Sequence, residues 1–217
     1  MKQLSAFDQI IGRFDKILRG LPSKKVVQNS LPSLPSIEMD SSDPVPLSLA
    51  EQKHAASLMR INHCGEVCAQ ALYLGQALVA RDQKLANQLY KSAEEEQEHL
   101  QWCKTRIHEL GGRPSILNPL WALGSFGIGV TAGLFSDKIS LGFLAETEQQ
   151  VSRHLASHLQ ELPAHDTKSQ AIILKMREDE ERHAKDAITL GGVNLPKPIP
   201  KLMQFFAKIM TTTTRYI

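Results

Sequence analysis

The sequence predicts an all-α protein built on four long helices. Three observations carry that expectation. Apolar residues recur at three-to-four spacing along most of the chain, and no run shows the alternation of a strand. Helix start and stop signals bound the periodic segments. The same order of glutamates and Glu-x-x-His pairs occurs twice, once in each of two helical hairpins. With 217 residues, 42% of them hydrophobic and 22% charged, the chain can bury a sizeable core as one soluble domain. Its net charge of +2 is too small to call for nucleic acid as a partner. An odd set of three cysteines, Cys64, Cys68 and Cys103, fits a reducing compartment better than a disulfide scaffold. Asp8 and Asp15 interrupt any signal-peptide core and argue against a mitochondrial presequence.

Leu4, Phe7, Ile10, Ile11, Phe14, Ile17, Leu18 and Leu21 predict an amphipathic helix over 1–21. A Pro/Ser-rich linker over 22–47 follows, and a four-helix-bundle domain over 48–217. "SLAE" at Ser48–Glu51 reads as a capping box that opens a helix running to about Ala80. Asp82 caps a second helix, which stops at Gly111-Gly112. A third long helix covers about Ile139 to Leu162 and ends at Pro163. A fourth runs from Asp166 to about Leu190, before Gly191-Gly192, and an amphipathic stretch follows Pro200.

Glu and His at i and i+3 share one helix face and can bind one cation. The chain has three such pairs: Glu51/His54, Glu96/His99 and Glu180/His183. In an antiparallel hairpin, residues equidistant from the turn lie at one height. By that test Glu66 stands opposite Glu96 and Glu148 opposite Glu180, so each hairpin sets one lone glutamate against one Glu-x-x-His. His54 fails the test: it lies about 18 Å along the helix from Glu66 and is turned roughly 120° away. The six selected residues interrupt apolar stripes, such as Ile173, Met176, Glu180, His183 and Ala187. Buried carboxylates are very unfavourable unless paired or bound to metal. Two divalent cations would balance four carboxylates, and carboxylate with imidazole suits iron or manganese. This is the ferritin-like di-iron arrangement of a four-helix bundle. Glu146, the rival to Glu148, is expected to point outward, and Glu94, Glu95, Glu98, Glu178 and Glu181 read as surface charge.

Several motifs together resemble the demethoxyubiquinol hydroxylase family of ubiquinone biosynthesis. They are "MRINHCGEVCAQALYLGQ", "EEEQEHL", "RPSILNPLWALGSFGIGVTAGL", "ETEQQVSRHL" and "MREDEERHA", and the likeness covers about residues 50–214. Cys64 departs from it, standing where a small apolar residue is expected. The resemblance implies two iron ions per chain held by Glu66, Glu96, His99, Glu148, Glu180 and His183. It implies a monooxygenase that places one oxygen atom of O2 on a polyprenylated quinol ring and sends the other to water. It also implies a peripheral enzyme at the cytoplasmic face of a bacterial cell membrane, with other ubiquinone-biosynthesis proteins as possible partners, and a His at position 154 near the substrate or behind a ligand. From the residues alone, His154 reads equally as a surface histidine. Asp179 could orient a ligand histidine or be exposed charge, and Tyr73 reads as core before catalyst. Two rival functions use the same features: a ferritin-like iron-oxidising or peroxide-consuming protein, which needs no apolar segment, and a non-enzymatic membrane-associated scaffold, for which the duplicated order would be accidental.

The segment Leu117–Phe135 carries no charge. Asn118-Pro119 is expected to shorten its helix to about 16 residues, roughly 24 Å. It reads as a crossover along the bundle, as a surface that dips into one leaflet, or least well as a membrane span. Leu123 and Phe126 are expected on its outward face, with Trp121 at an interface.

Overall fold

The structure, a computed structural model, describes residues 46–217, so the expected helix over 1–21 and nearly all of the linker lie outside the described residues. Helix α1, Leu49–Val79, opens with the expected capping box, in which the Ser48 hydroxyl accepts from the Glu51 amide and the Glu51 side chain accepts from the Ser48 amide. Helix α2, Gln83–Glu109, starts at the Asp82 cap. Helix α3, Asn118–Phe135, is the uncharged segment. Helices α4, Asp137–Glu161, and α5, Thr167–Thr189, form the second hairpin, and α6, Pro198–Thr214, is the amphipathic C-terminal stretch. Two starts come earlier than expected. Pro119 falls in the first turn of α3, and Pro198 and Pro200 fall in that of α6, where the missing N–H costs no hydrogen bond.

The hairpins end alike. Gly111 and Gly191 have φ of 72° and 104°, a left-handed conformation that glycine adopts without strain. The amides of Gly112 and Gly192 then reach back to the carbonyls of Ile107 and Ala187. The chain duplicates its helix stops as well as its glutamate order.

Within each hairpin the two helices pack along their length, and the hairpins meet through α1 against α4 and α2 against α5. Arg106 and Glu109, near the end of α2, pair with Asp166 and Lys168 beside the second turn. Asp137, at the start of α4, accepts from the amides of Arg81 and Asp82 in the first turn. The chain between them therefore travels from one end of the bundle to the other, and α3 makes that passage against α1. Glycines set the approach: a Cβ on Gly129 would collide with the Leu72 carbonyl, one on Gly75 with that of Phe126, and one on Gly133 with Val79.

Two apolar clusters fill the bundle. One gathers Val67, Leu74, Leu89, Leu144 and Ala187 towards the first turn, and the other Leu58, Ile107, Leu155, Ile172 and Met176 towards the second. Each of the four bundle helices passes from one cluster to the other. The six selected residues lie at that boundary and form a polar layer between two apolar ones.

Candidate metal centre

Glu66, Glu96, His99, Glu148, Glu180 and His183 are all buried, none more than 3% exposed. Their donor atoms converge in two overlapping sets: Glu66, Glu96, His99 and Glu180, and Glu148, Glu180 and His183. The His99 Nδ1 lies 3.0 Å from Glu96 Oε2, 3.2 Å from Glu180 Oε1 and 3.5 Å from Glu66 Oε2. The His183 Nδ1 lies 3.2 Å from Glu96 Oε1 and 3.5 Å from Glu180 Oε2. Glu96 and Glu180 thus each face both histidines, one oxygen to each. Glu66 stands on the His99 side and Glu148 on the His183 side.

The outer nitrogens repeat the symmetry. His99 Nε2 lies 3.3 Å from Asp179 Oδ2, and His183 Nε2 lies 2.7 Å from Glu95 Oε2. Asp179 precedes Glu180 on α5 and Glu95 precedes Glu96 on α2, so each helix supplies the carboxylate that orients the other helix's histidine. Asp179 is only 13% exposed and lies against the His99 ring, the contact that an orienting carboxylate makes. For Glu95 the geometry corrects the expectation of surface charge: the side chain is only 30% exposed and its carboxylate is spent on a buried imidazole. The signal was present as an acidic residue before each Glu-x-x-His, but the run of three glutamates at 94–96 hid it.

Electrostatics divides the inner carboxylates. Burial, reinforced by the Glu180 charge, raises Glu66 and Glu148 well above the usual carboxylate range. Burial opposes ionisation of Glu96 and Glu180 too, but contact with the histidines holds both below the ordinary value. The histidines answer: against the pull of burial, their carboxylate neighbours raise His99 and push His183 up to about 12. Glu95 is held down to about 2, chiefly by its bond to His183.

The layer has the chemistry of a cation site. Both oxygens of Glu148 and of Glu180, Glu96 Oε1 and His183 Nδ1 are buried without hydrogen-bond geometry to any partner, although several lie within contact distance of one another. Atoms left so would cost stability unless a cation or protons occupied the space between them. Four carboxylates and two imidazoles without thiolate are the donor set of iron or manganese. Cys103, one turn beyond His99, stays a thiol: burial raises it, and its Sγ contacts Met176 Sδ at 3.6 Å.

The other sequence candidates fall outside this layer. Glu51 is occupied in its capping box and His54 Nε2 meets the Glu161 carbonyl at 2.9 Å, so that pair takes no part. Glu146 accepts from Gln150 and Arg153 near the surface, as expected of the rival to Glu148. Tyr73 is fully buried in the first apolar cluster with its hydroxyl unsatisfied. His154 is half-buried rather than a surface residue, its ring 4.0 Å from that of His158 and its Nε2 unsatisfied. His158, which sequence reasoning passed over, is buried and bonded through Nδ1 to Asn62 Oδ1 at 2.7 Å.

Comparison with known proteins agrees with the geometry. The family model described as "Ubiquinone biosynthesis protein COQ7" matches residues 53–214. Among similar proteins, the 3-demethoxyubiquinol 3-hydroxylase of Ralstonia pickettii is 49% identical over 210 residues, spanning 94% of this chain and 97% of its own. That of Chromobacterium violaceum is 52% identical over 204 residues, spanning 94% and 96%. That of Legionella pneumophila strain Corby is 48% identical over 219 residues, spanning both chains in full. Among solved structures, the bacterioferritin-related dodecameric thioferritin of Bacteroides fragilis superposes with a TM-score of 0.51 at 19% identity, covering 74% of this chain and 92% of its own. That likeness concerns the fold, and it makes the bundle ferritin-like. A match over most of the sequence, with relatives near half identity from end to end, establishes that this chain belongs to the COQ7 family of ubiquinone biosynthesis proteins.

Proposed function

We infer that this chain is a di-iron monooxygenase that hydroxylates the ring of a demethoxyubiquinol with O2, a late step of ubiquinone biosynthesis. The observation that carries the reading is the buried layer of four glutamates and two histidines in a chain of this family. Glu66 with His99 would hold one ion, Glu148 with His183 the other, and Glu96 and Glu180 would face both. Bound there, two iron ions supply the electrons and Lewis acidity that O2 chemistry needs. The chain's own part is different. Asp179 and Glu95 fix the orientation of both imidazoles, and the apolar layers above and below shield the centre from bulk water. Displacement of protons from Glu66, Glu148 and the two histidines couples ion binding to pH.

The substrate end rests on an exposed apolar surface. Leu120, Leu123, Ile128, Leu134 and Phe135 of α3 are 44–70% exposed, and Leu202, Phe205, Phe206 and Ile209 of α6 are also in solvent. Both helices contact α1 and α4, the helices that carry the lone glutamates, whereas Asp179 and Glu95 belong to α5 and α2. No helix among the described residues is long and apolar enough to cross a membrane. This arrangement supports a protein that lies on one leaflet and draws a long-tailed quinol from it; the family resemblance, not the surface, is the ground for assigning it to the cytoplasmic face of a bacterial cell membrane. The decisive assay is iron content, followed by product analysis with quinol and O2. Hydroxylated quinol in proportion to bound iron supports the reading. Iron oxidation without a ring product would replace it with the iron-oxidising alternative.

A further inference from the structure

The two carboxylates behind the histidines are not independent. Arg182 on α5 lies with Nη2 3.2 Å from Asp179 Oδ1 and Nη1 3.5 Å from Glu95 Oε2. One guanidinium therefore spans the gap between α5 and α2 and meets both carboxylates. Each carboxylate also has a lysine one turn away on its own helix, Lys175 at 3.0 Å from Asp179 and Lys91 at 3.4 Å from Glu95. Lys175 also meets Glu178 at 3.4 Å, so each lysine stays on its own helix and neither crosses the seam. The planar guanidinium presents its donors in a rigid fork at a set separation, whereas an ammonium's donors turn freely on a flexible stem. A lone surface ion pair contributes little. Here, however, the chain of contacts runs inward, from Arg182 through Asp179 to His99 and through Glu95 to His183.

We propose that Arg182 is a positioning residue that yokes Asp179 and Glu95 across the α2–α5 seam, so that the two histidines are oriented together and the two metal positions fill as a unit. This rests on the dinuclear reading of the centre. If Arg182 fixes both carboxylates, removing it frees each to rotate, and both imidazoles lose their orientation at once. Loss of an outer hydrogen-bond partner typically weakens metal affinity about 10- to 100-fold. The loss should fall on both ions rather than one.

The test is an anaerobic titration of the full chain with ferrous iron against a competing chelator, in wild type, Arg182→Ala, Arg182→Gln and Arg182→Lys. Melting of the metal-free proteins is followed in parallel. Wild type should take up two ions in one cooperative step. Arg182→Ala and Arg182→Gln should bind both about ten-fold or more weakly, with metal-free melting unchanged. Gln, which keeps the length and loses the charge, covers the case in which Ala disturbs the helix. Arg182→Lys should weaken both ions by less than Arg182→Ala does, because a flexible ammonium keeps the charge but not the fixed separation of the fork. In an Asp179→Asn, Glu95→Gln background, Arg182→Ala should have no further effect. Wild-type affinity in both Arg182→Ala and Arg182→Gln would overturn the proposal, as would an equal loss in the doubly substituted background. A wild type that binds no iron would instead overturn the dinuclear reading itself.

Discussion

At the level of single residues, the side chains that matter are those whose burial their chemistry forbids. Glu148 has both carboxylate oxygens buried without a hydrogen bond, and Glu180 faces two imidazoles at once. The sequence revealed such residues because they broke apolar stripes at matched heights from two turns. It revealed the orienting residues less well. Asp179 stood out beside Glu180, but Glu95 lay in a run of acids, and only the packing of α2 against α5 shows which of those acids meets His183. The division of labour among the inner glutamates makes separable predictions. Glu96→Ala should abolish hydroxylation and deplete both ions, since each of its oxygens faces a different histidine. Glu66→Ala should lower iron by less than Glu96→Ala does, because Glu66 stands on the His99 side alone. Iron analysis beside turnover checks both, and full iron content in Glu96→Ala would contradict the assignment.

At the level of elements, α3 shows where sequence reading stopped. Its uncharged composition predicted an apolar surface, but which residues face outward depends on how it crosses α1. Phe126, expected outside, packs against the first apolar cluster, and the Trp121 indole N–H is covered rather than presented to an interface. Near the start of α3 the outward apolar positions are Leu120 and Leu123, and Ile128, Leu134 and Phe135 continue that face. Replacing Leu120 and Leu123 by Asp should weaken liposome binding and turnover of long-tailed quinol while sparing a short-tailed soluble quinol and iron content. Normal liposome binding by that iron-replete variant would direct attention to α6. The glycines of α3 separate in the same way. Gly129→Ala places a Cβ against the Leu72 carbonyl and should destabilise by about 1–3 kcal/mol. Gly124→Ala meets open space and should stabilise by about 0.5–1 kcal/mol through helix propensity. Chemical denaturation distinguishes the two, and equal effects would contradict the close crossing of α3 on α1.

At the level of the whole molecule, the fold is two copies of one plan, and the repeated stops at Gly111 and Gly191 made its four-helix frame legible before any packing was known. Helix order and glutamate register follow from local signals, whereas the earlier starts of α3 and α6 turned on prolines that the first turn tolerates. The centre also links stability to pH. His183, raised from 6.5 to about 12, contributes stability that is complete below pH 6.5 and lost as pH rises through its folded value. Glu95, lowered from 4.5 to about 2, contributes stability that is complete above pH 4.5 and lost as pH falls. The metal-free protein should therefore draw fully on both between pH 4.5 and 6.5. Saturating ferrous iron, kept anaerobic, should raise the melting temperature near neutral pH by mass action. Melting temperatures across pH, with and without iron, check this, and identical midpoints at saturating metal would count against a buried centre.

If the buried layer is the di-iron centre of a hydroxylase, it directs an oxygen atom from O2 onto a quinol ring. A single turnover of the ferrous-loaded protein under 18O2, with mass analysis of the quinol, tests it most directly. The wild-type product should carry one labelled oxygen, and Glu180→Ala should give no hydroxylated product. Unlabelled product from wild type, or labelled product from Glu180→Ala at the wild-type yield, would contradict that assignment.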